Sequence, residues 1–267
     1  MIKVAKLSKS TYYHIIKKLD QPDPDRKWKR RINFIYHKHL GRLGYRRITD
    51  VLQAKGHDVN KKKVLRIMRE LGLKCIVRMK KYKSYKGKVG KVAPNILNRH
   101  FRADKPNQKW VTDITEFKLF GQKLYLSPIL DLFNGEIITY TLQSRPTFDL
   151  VETMLEQGLK HVNEGDELLI HSDQGWHYQM AQYRRTLRNH NITQSMSRKG
   201  NCYDNSVMEN FFGIMKSEFL YLQEFDSIEH FKDELKKYMY YYNHLRIKSR
   251  LKRKSPVAYR VSAELAA

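Results

Sequence analysis

Three β-rich stretches in succession constrain the fold of this chain more than any other feature. They are WVTDITEF (110–117), KLYLSPILDLF (123–133) and EIITYTL (136–142), and they are rich in the residue types that favour strands. Gly121 separates the first two stretches, and the Asn134-Gly135 pair that separates the last two is a strong hairpin signal. The sequence therefore predicts three consecutive antiparallel strands.

Helices and short strands alternate after the third stretch. The pattern predicts a helix from Phe148 to about Asn163, a strand at 167–173, a helix near 179–190, a strand at 192–196 and a helix that begins at Ser206. This order is typical of a ribonuclease-H-like α/β core with a five-stranded mixed sheet and flanking helices. We place the core at residues 106–222 and a basic helical extension at 223–267.

The positive charge of the chain is concentrated in its N-terminal part. Residues 1–105 carry 31 Lys and Arg against 7 Asp and Glu, which is +24 of the net charge of +25. A segment with this excess repels itself unless a polyanion neutralises it, so we expect nucleic acid as the partner. A solubilising tail or a ribosome-associated segment is the alternative, but the basic residues lie within helical patterns, which favours nucleic-acid binding.

Residues 1–77 are predicted to be helical. Apolar residues recur at helical spacing in consecutive segments, with Gly56 and Gly72 as stop signals and Asn60 as an N-cap. The predicted inward positions are Ile32, Ile35, Tyr36, Leu40, Ile48, Val51, Leu52, Val64, Leu65, Ile67, Met68 and Leu71. Residues 78–105 begin with a basic, Gly-containing run and are predicted to be a linker that can lie along DNA.

Three lysines occupy the first turn of the last of these helices. Lys61, Lys62 and Lys63 follow Asn60 directly, where the helix dipole disfavours cations. Phosphate groups bound at this helix end would offset that cost. We therefore predict a helix-turn-helix with residues 60–71 as the recognition helix and the three lysines as DNA contacts. A plain three-helix packing unit with an exposed lysine-rich end is the alternative.

Three acidic residues fall at related places on the predicted core. Asp113 lies in the first strand, Asp173 ends the fourth strand, and Glu209 lies in the first turns of the helix after the last strand. The first and fourth strands are neighbours in a ribonuclease-H-like sheet, so these carboxylates can converge. Such a cluster can hold two Mg²⁺ ions for phosphoryl transfer on DNA. Lys216 follows Glu209 by two helical turns and can reach a phosphate beside the metals.

The segments around these acids resemble the motifs of a known family. WVTDITEF, HSDQGWHY (171–178) and SRKGNCYDNSVMENFFGIMKSE (197–218) are similar to the catalytic blocks of bacterial insertion-sequence DDE transposases of the IS-three family. The core of that family resembles retroviral integrases, and the resemblance runs from about residue 8 to about residue 260. It implies an integrase core in which Asp113, Asp173 and Glu209 are the metal-binding catalytic triad. Lys248 stands where the family often has a histidine in its tail motif.

The resemblance also implies a cofactor and partners. The cofactor would be Mg²⁺, with Mn²⁺ as a possible substitute. The partners would be double-stranded DNA, namely the terminal inverted repeats of the element and the target DNA, and further copies of the chain in a homo-oligomer on that DNA. Family members are usually encoded in two overlapping frames joined by frameshifting, so we also expect an upstream-frame protein or a longer fusion.

Several patterns bear on where the chain acts. No apolar run nears the roughly 18 residues of a membrane span, and the N-terminal segment lacks the apolar core of a secretory signal. Cys75 and Cys202 have neither metal-type nor disulfide-framework spacing. We therefore expect the bacterial cytoplasm, in association with the nucleoid.

Other residues near the predicted site are candidate DNA contacts. Trp176 could stack on a base at a frayed end or pack in the core, and His177, like His171, is either a DNA contact or a polar rim residue. Arg198 and Lys199 are predicted to touch phosphate, whereas Asp204 is expected to hold its loop or cap the next helix. The six basic residues between Arg246 and Lys254 are predicted to form a second contact with the DNA backbone.

Two other functions remain open from the sequence. One is a ribonuclease-H-type nuclease that only hydrolyses, and the other is a DNA-binding regulator of transposition without independent catalysis. The basic N-terminal region and Lys216 favour a transposase that cleaves element ends and transfers the strand to target DNA.

Overall fold

The computed structural model describes residues 8–19, 22–77, 92–163 and 165–265. The chain divides into two compact units, Met1–Ile76 and Val77–Ala267. Residues 78–91, which make up much of the predicted linker, lie outside the described residues. Among the described residues, no helix combines the length and the apolar character that crossing a bilayer requires.

The first unit is helical, as predicted. Its helices are α1 (Lys9–Leu19), α2 (Arg26–Lys38), α3 (Tyr45–Ala54) and α4 (Lys61–Glu70). Apolar residues of α2, α3 and α4 form its core, among them the fully buried Ile32, Ile48 and Val64. The predicted N-cap of α4 is confirmed, since the Asn60 side chain accepts a hydrogen bond from the Lys62 backbone N–H at 2.8 Å.

Two of the predicted inward positions in this unit are wrong. Leu40 is 60% exposed and Leu71 is 36% exposed. Both residues lie just past the end of a helix, Leu40 after α2 and Leu71 after α4. The chain changes direction there, and Leu40 adopts a left-handed backbone with φ of 52°. The helical spacing therefore no longer decides which way these two side chains point.

A mixed sheet forms the centre of the second unit. Its strands are β1 (Lys109–Thr112), β2 (Thr115–Leu119), β3 (Gln122–Asp131), β4 (Ile137–Gln143), β5 (Leu169–Ser172) and β6 (Thr193–Met196). Antiparallel pairing joins β3 to β1, β2 and β4, whereas β5 is parallel to both β1 and β6. The predicted neighbours, the first strand and the strand that precedes Asp173, are therefore paired.

The first predicted strand is divided into β1 and β2. Both halves pair with β3, Thr112 opposite Ile129 and Thr115 opposite Leu126. Asp113 and Ile114 lie between the halves, and the Asp113 side chain accepts the Ile114 backbone N–H. The sheet thus has six strands in the five predicted positions, and the interruption falls at the first of the predicted site residues.

Helices cover both faces of the sheet. They are α5 (Phe148–Leu159), α6 (Trp176–Gln179), α7 (Ala181–Asn189), α8 (Ser206–Met215), α9 (Ile228–Tyr240) and α10 (Pro256–Glu264), with 3₁₀ turns at Cys202–Asn205 and Ser249–Leu251 and π-helical turns at Lys216–Leu220 and Tyr241–Leu245. Trp110 packs in a hydrophobic cluster with residues of α5 and α7, whereas Val111 packs in another with residues of α8 and α9. This alternation is the two-residue period of a strand that is buried on both faces.

The predicted C-terminal extension shares the core of the sheet. Phe231 and Leu235 of α9 belong to the same buried cluster as Phe117 and Leu124 of the sheet. The end of the predicted linker is packed as well, since Leu97 is buried and its backbone N–H donates to Ser195 Oγ at 3.0 Å. Residues 92–105 and 223–265 are thus parts of one structural unit with residues 106–222, rather than a linker and a separate extension.

Candidate active site

The ends of two parallel strands bring Asp113 and Asp173 side by side. Val111 of β1 is paired with His171 of β5. Each aspartate follows its paired residue by two positions, so both leave the sheet at the same level on neighbouring strands. Neighbouring strands lie about 4.8 Å apart. The structure therefore places the two predicted carboxylates next to each other at the carboxyl ends of β1 and β5.

Backbone N–H groups orient both carboxylates. Asp113 Oδ1 accepts from the Ile114 N–H at 2.7 Å, and Asp173 Oδ1 accepts from the Gly175 N–H at 2.8 Å. Glycine is needed at the second position because a Cβ on Gly175 would lie 2.9 Å from Asp173 Oδ1. These hydrogen bonds fix one oxygen of each carboxylate and leave the other for a ligand.

Both aspartates are electrostatically strained. Burial raises the pKa of Asp113 well above its usual range, and the charges of Asp173 and Glu209 raise it further. Burial also raises the pKa of Asp173, against the opposing effects of the Gly175 N–H and His177. A carboxylate pair of this kind is stabilised by a cation, because the cation removes both the desolvation cost and the mutual repulsion.

Glu209 reaches the same place from the first turn of α8. Its charge acts on Asp113, and burial raises the pKa of Glu209 itself. The residue before the helix, Asn205, links α8 to the end of β1, since its Nδ2 lies 3.4 Å from the Thr112 carbonyl oxygen. The structure therefore brings the three predicted acids into one region, Asp113 and Asp173 from the sheet and Glu209 from the helix.

Lys216 faces this region from the end of α8. Burial lowers the pKa of Lys216, and the negative charges of Glu116 and Asp113 oppose that shift. Its Nζ lies 5.9 Å from the centre of the Phe117 ring. Phe117 belongs to β2, the strand that follows Asp113. A π-helical turn begins at Lys216. The charge of Lys216 thus interacts with that of Asp113, although the regular helix predicted there ends at Met215.

The donor set fits a hard divalent cation held by two carboxylates. Asp113 and Asp173 offer unpaired carboxylate oxygens of the kind that Mg²⁺ prefers, and Mg²⁺ retains several waters rather than demanding a full protein shell. No three His, Cys, Asp or Glu side chains of the described residues converge closely enough to hold one ion jointly. Glu209 is therefore a third acid beside the aspartate pair, and the three carboxylates do not meet around one ion.

The aromatic residues after Asp173 differ in their exposure. Trp176 is 50% exposed and stacks on the His177 ring, with centroids 3.8 Å apart. His177 is buried, and its Nε2 donates to the Pro146 carbonyl at 2.8 Å. The predicted DNA contact at His177 is therefore not available at the surface, because that side chain supports Trp176 from within.

His171 is an internal residue of the sheet. Hydrogen bonds join its Nδ1 to Ser195 Oγ at 2.8 Å and its Nε2 to Ser197 Oγ at 3.1 Å. Burial lowers its pKa to about 4. The expected polar rim position is wrong for His171, which instead fastens β5 to β6 and so supports the strand that carries Asp173.

A buried acid organises the loop before α8. Asp204 accepts two hydrogen bonds from the Arg198 guanidinium, each 2.8 Å long, and a third from Arg99 Nε at 2.8 Å. The loop-holding role expected of Asp204 agrees with these contacts. Arg198, a predicted phosphate contact, is exposed but pairs its guanidinium with Asp204, and the neighbouring Lys199 is exposed as well.

Two of the six basic residues of the tail have partners inside the protein. Arg246 donates to both oxygens of Glu218 at 2.8 Å, and both side chains are buried. Lys248 Nζ donates to the Gly135 carbonyl at 2.9 Å. Arg246 and Lys248, which belong to the predicted phosphate-binding run, therefore bind partners within the protein. Arg250 and Lys252 remain exposed. The sequence offered no sign of these partners, which lie far away along the chain.

The three lysines at the start of α4 also differ in their contacts. Lys61 and Lys62 are exposed, but Lys63 Nζ forms an ion pair with Asp25 at 2.8 Å. Asn60 is a proper N-cap, and α4 has no acidic residue in its first turn. One of the three lysines thus has a structural reason for its place, and the other two remain open to a ligand.

Three family descriptions match the chain in this order. An HTH-like domain matches residues 23–81, an integrase core domain matches residues 103–202, and a second integrase core description matches residues 209–263. The first lies on the helical unit, and the second contains Asp113 and Asp173. The third begins at Glu209 and runs through the C-terminal helices.

A relative from Escherichia coli (strain K12) has the name of the transposase InsK for insertion sequence element IS150. It is 49% identical over 260 residues, which are 97% of this chain and 92% of the relative. The chain belongs to the insertion-sequence transposases. The transposase for insertion sequence element IS904 from Lactococcus lactis is 37% identical over 230 residues, 85% of this transposase and 90% of that one.

The fold of this transposase core is also found among solved structures. The HTLV-2 integrase catalytic core domain, solved in complex with magnesium, aligns with a TM-score of 0.50 and 20% identity over 60% of this chain and 99% of that one. The predicted integrase-type core and the predicted helix-turn-helix region are confirmed by these matches. The names of these two relatives, of which the chain covers 92% and 90%, favour a transposase over a nuclease that only hydrolyses or a purely regulatory protein.

Proposed function

We propose that Asp113, Asp173 and Glu209 form the catalytic site of this transposase and that the site uses Mg²⁺. The observation that carries the proposal is the pairing of β1 with β5, because the two half-buried carboxylates that follow these strands at the same level have no Lys or Arg partner among the described residues. The HTLV-2 integrase core, which has this fold, was solved with magnesium. Mn²⁺ has the same preference for carboxylate oxygens and is the expected substitute.

The reaction would proceed in two phosphoryl transfers. Water attacks the phosphorus at the element end, the bond to the 3′ oxygen breaks, and a free 3′-OH results. That hydroxyl then attacks a phosphodiester of the target DNA and displaces its 3′ oxygen. Two Mg²⁺ ions, when bound, activate the attacking oxygen and stabilise the leaving one.

The residues of the chain have separate tasks in this proposal. Asp113 and Asp173 would hold the ions, and Glu209 would complete the shell of one of them. Lys216, whose charge interacts with that of Asp113, would bind the phosphate next to the reacting one. The strand ends and the Gly175 N–H keep the carboxylates in place, so no reorganisation is needed when DNA arrives.

DNA contacts would come from both units. Lys61 and Lys62 lie exposed at the N-terminus of α4 and would contact phosphates of the terminal inverted repeat. Trp176 and Lys199 would contact DNA near the carboxylates, with Trp176 stacking on an unpaired base. His177 and Arg198 serve by holding Trp176 and the loop, and Lys63 by its ion pair with Asp25. The DNA substrate places this activity in the bacterial cytoplasm, at the nucleoid, and the joining of two ends calls for several copies of the chain.

The test uses the inverted repeats defined from the DNA that flanks the gene. Purified protein is incubated with labelled repeat ends and Mg²⁺, beside the Glu209→Gln variant. We expect nicked ends and joined products with the wild type and neither with the variant. Normal end binding with no products from the wild type would contradict independent catalysis. The chain would then act as a regulator or require an upstream-frame protein, which the fusion protein would reveal in the same assay.

A further inference from the structure

Asn205 occupies a helix-capping position without capping the helix. It directly precedes α8, where an asparagine side chain ordinarily accepts a hydrogen bond from the helix backbone. Its side chain makes no such bond. Instead its Nδ2 points to the Thr112 carbonyl at 3.4 Å, and its NH₂ group lies near enough to Asp113 to lower the pKa of that carboxyl. The carboxamide is therefore turned away from its own helix and toward the end of β1.

The other atom of this carboxamide has no partner. Asn205 is 4% exposed, and within the described residues nothing donates a hydrogen bond to its Oδ1. Reversing the carboxamide would put Oδ1 against the Thr112 carbonyl oxygen, so that two acceptors would face each other. Buried acceptors are normally satisfied. This one lies near carboxylates, which are acceptors themselves, so a water bound to a cation would be a suitable donor.

The neighbouring residue explains how Asn205 is held in this orientation. Asp204 faces the other way and is fixed by Arg198 and Arg99. The two adjacent side chains thus hold the turn before α8 from two sides. Asp204 attaches it to the loop, and Asn205 attaches it to the end of β1. Glu209 follows Asn205 by four residues, one helical turn along α8, so the two side chains share a helix face.

We propose that Asn205 is a positioning residue of the catalytic site, whose NH₂ group orients the Asp113 carboxylate and whose Oδ1 accepts a hydrogen bond from the hydration shell of the divalent cation. This inference rests on the proposed function, since it assumes that Asp113 holds the cation. Asn205 does not contact DNA, because it has almost no exposed surface. The competing explanation is that Asn205 only stabilises the turn before α8.

The experiment measures metal binding and catalysis separately in the full-length chain. Mn²⁺ affinity is measured from the electron paramagnetic resonance signal of free Mn²⁺, and the Mg²⁺ dependence of end cleavage is measured with the labelled repeat ends. The variants are Asn205→Ala, the isosteric Asn205→Asp and the control Asn210→Ala. Asn210 is an exposed asparagine on the same helix. Melting temperatures show which variants are folded.

We expect Asn205→Ala to bind Mn²⁺ about 10- to 100-fold more weakly, as loss of an outer-shell partner typically does. The Mg²⁺ concentration for half-maximal cleavage should rise by a similar factor. Asn205→Asp should bind Mn²⁺ at least as tightly as the wild type because it adds a negative charge, yet cleave more slowly at saturating Mg²⁺ because Asp113 loses its donor. Asn210→Ala should match the wild type in every measurement.

The outcomes separate this inference from the proposed function. Equal Mn²⁺ affinity and equal Mg²⁺ dependence in the wild type and Asn205→Ala would overturn the inference and leave the triad intact. If Asn205→Ala does not fold, a cleavage rate of Asn205→Asp equal to the wild-type rate would overturn it. Identical Mn²⁺ titrations of the wild type and Asp173→Asn would instead overturn the proposed metal site.

Discussion

Two groups of acids in the second unit have opposite surroundings. Asp131, Asp204 and Glu218 are buried, and each is paired with an arginine, namely Arg260, Arg198 and Arg246. Asp113 and Asp173 accept hydrogen bonds from backbone N–H groups. Within the described part of the chain, neither of these two forms an ion pair with lysine or arginine.

The two groups of acids differ in whether an arginine compensates their negative charge. A buried carboxylate is costly unless a cation or several hydrogen bonds compensate it, so a fold normally pairs its buried acids. This unit does so at Asp131, Asp204 and Glu218. Arg260, for example, joins α10 to Asp131 and to Glu136. The pair at the ends of β1 and β5 is the exception, and a divalent cation is the partner that its chemistry fits.

Removing one of the unpaired acids should have the largest effect on activity. We expect Asp173→Asn to lower end cleavage by at least roughly 10³-fold, because metal ions contribute several kcal/mol to such reactions and each 1.36 kcal/mol is tenfold. The same variant should be no less stable than the wild type in EDTA, because it removes one of two like charges. Cleavage assays and thermal unfolding of the full chain check both expectations.

The pH dependence of stability provides a second readout of that variant. Burial and like charges raise the pKa of Asp113 in the folded state. The folded protein then binds more protons than the unfolded chain between the ordinary carboxyl pKa and the raised one, so metal-free stability falls as pH rises through that window. Asp173→Asn should flatten this fall. A variant less stable than the wild type at pH 8 in EDTA would contradict the view that the paired charges are destabilising.

Removing an arginine from a paired acid should have the next largest effect, on stability. Arg246→Met leaves the Glu218 carboxylate buried without its guanidinium, which should cost about 3–5 kcal/mol of unfolding free energy. Lys237→Met is the matched control, since Lys237 pairs with Glu234 at 2.7 Å but is 72% exposed. The control should change stability by less than about 1 kcal/mol. Equal losses in urea unfolding of the two variants would remove the distinction between buried and exposed pairs.

Displacing an unpaired acid without removing it should have a smaller effect. In Gly175→Ala the new Cβ would lie 2.9 Å from Asp173 Oδ1, so the carboxylate must shift. We expect end cleavage to fall by about 10²-fold or less, as misplacement by about 1 Å can cause. Gly213→Ala is the control, because a Cβ there meets nothing within 4 Å. It should keep full activity and stabilise α8 by up to about 1 kcal/mol. Equal activities of the two variants would show that the position of Asp173 is not critical.

The sequence by itself determined the elements and the candidate acids. The hairpin at Asn134-Gly135, the N-cap at Asn60 and the strand that precedes Asp173 were all predictable, because turn chemistry and apolar spacing act within a few residues. The three acids were predictable for a related reason, since each lies within or at the end of an element that the local pattern identifies. Their roles came from motif resemblance and remain the proposal that Glu209→Gln tests.

Only the tertiary structure decided which charged residues are used internally. Arg198, Arg246 and Lys63 look like any other basic residue of this chain, yet each pairs with an acid, and Glu218 lies 28 residues before Arg246. The turn of Asn205 away from α8 is equally invisible locally, because it depends on Thr112, 93 residues earlier. Such pairings have no period along the chain. They arise where the sheet and its covering helices meet, so the same residue type can bind DNA or close the fold according to its neighbours in space.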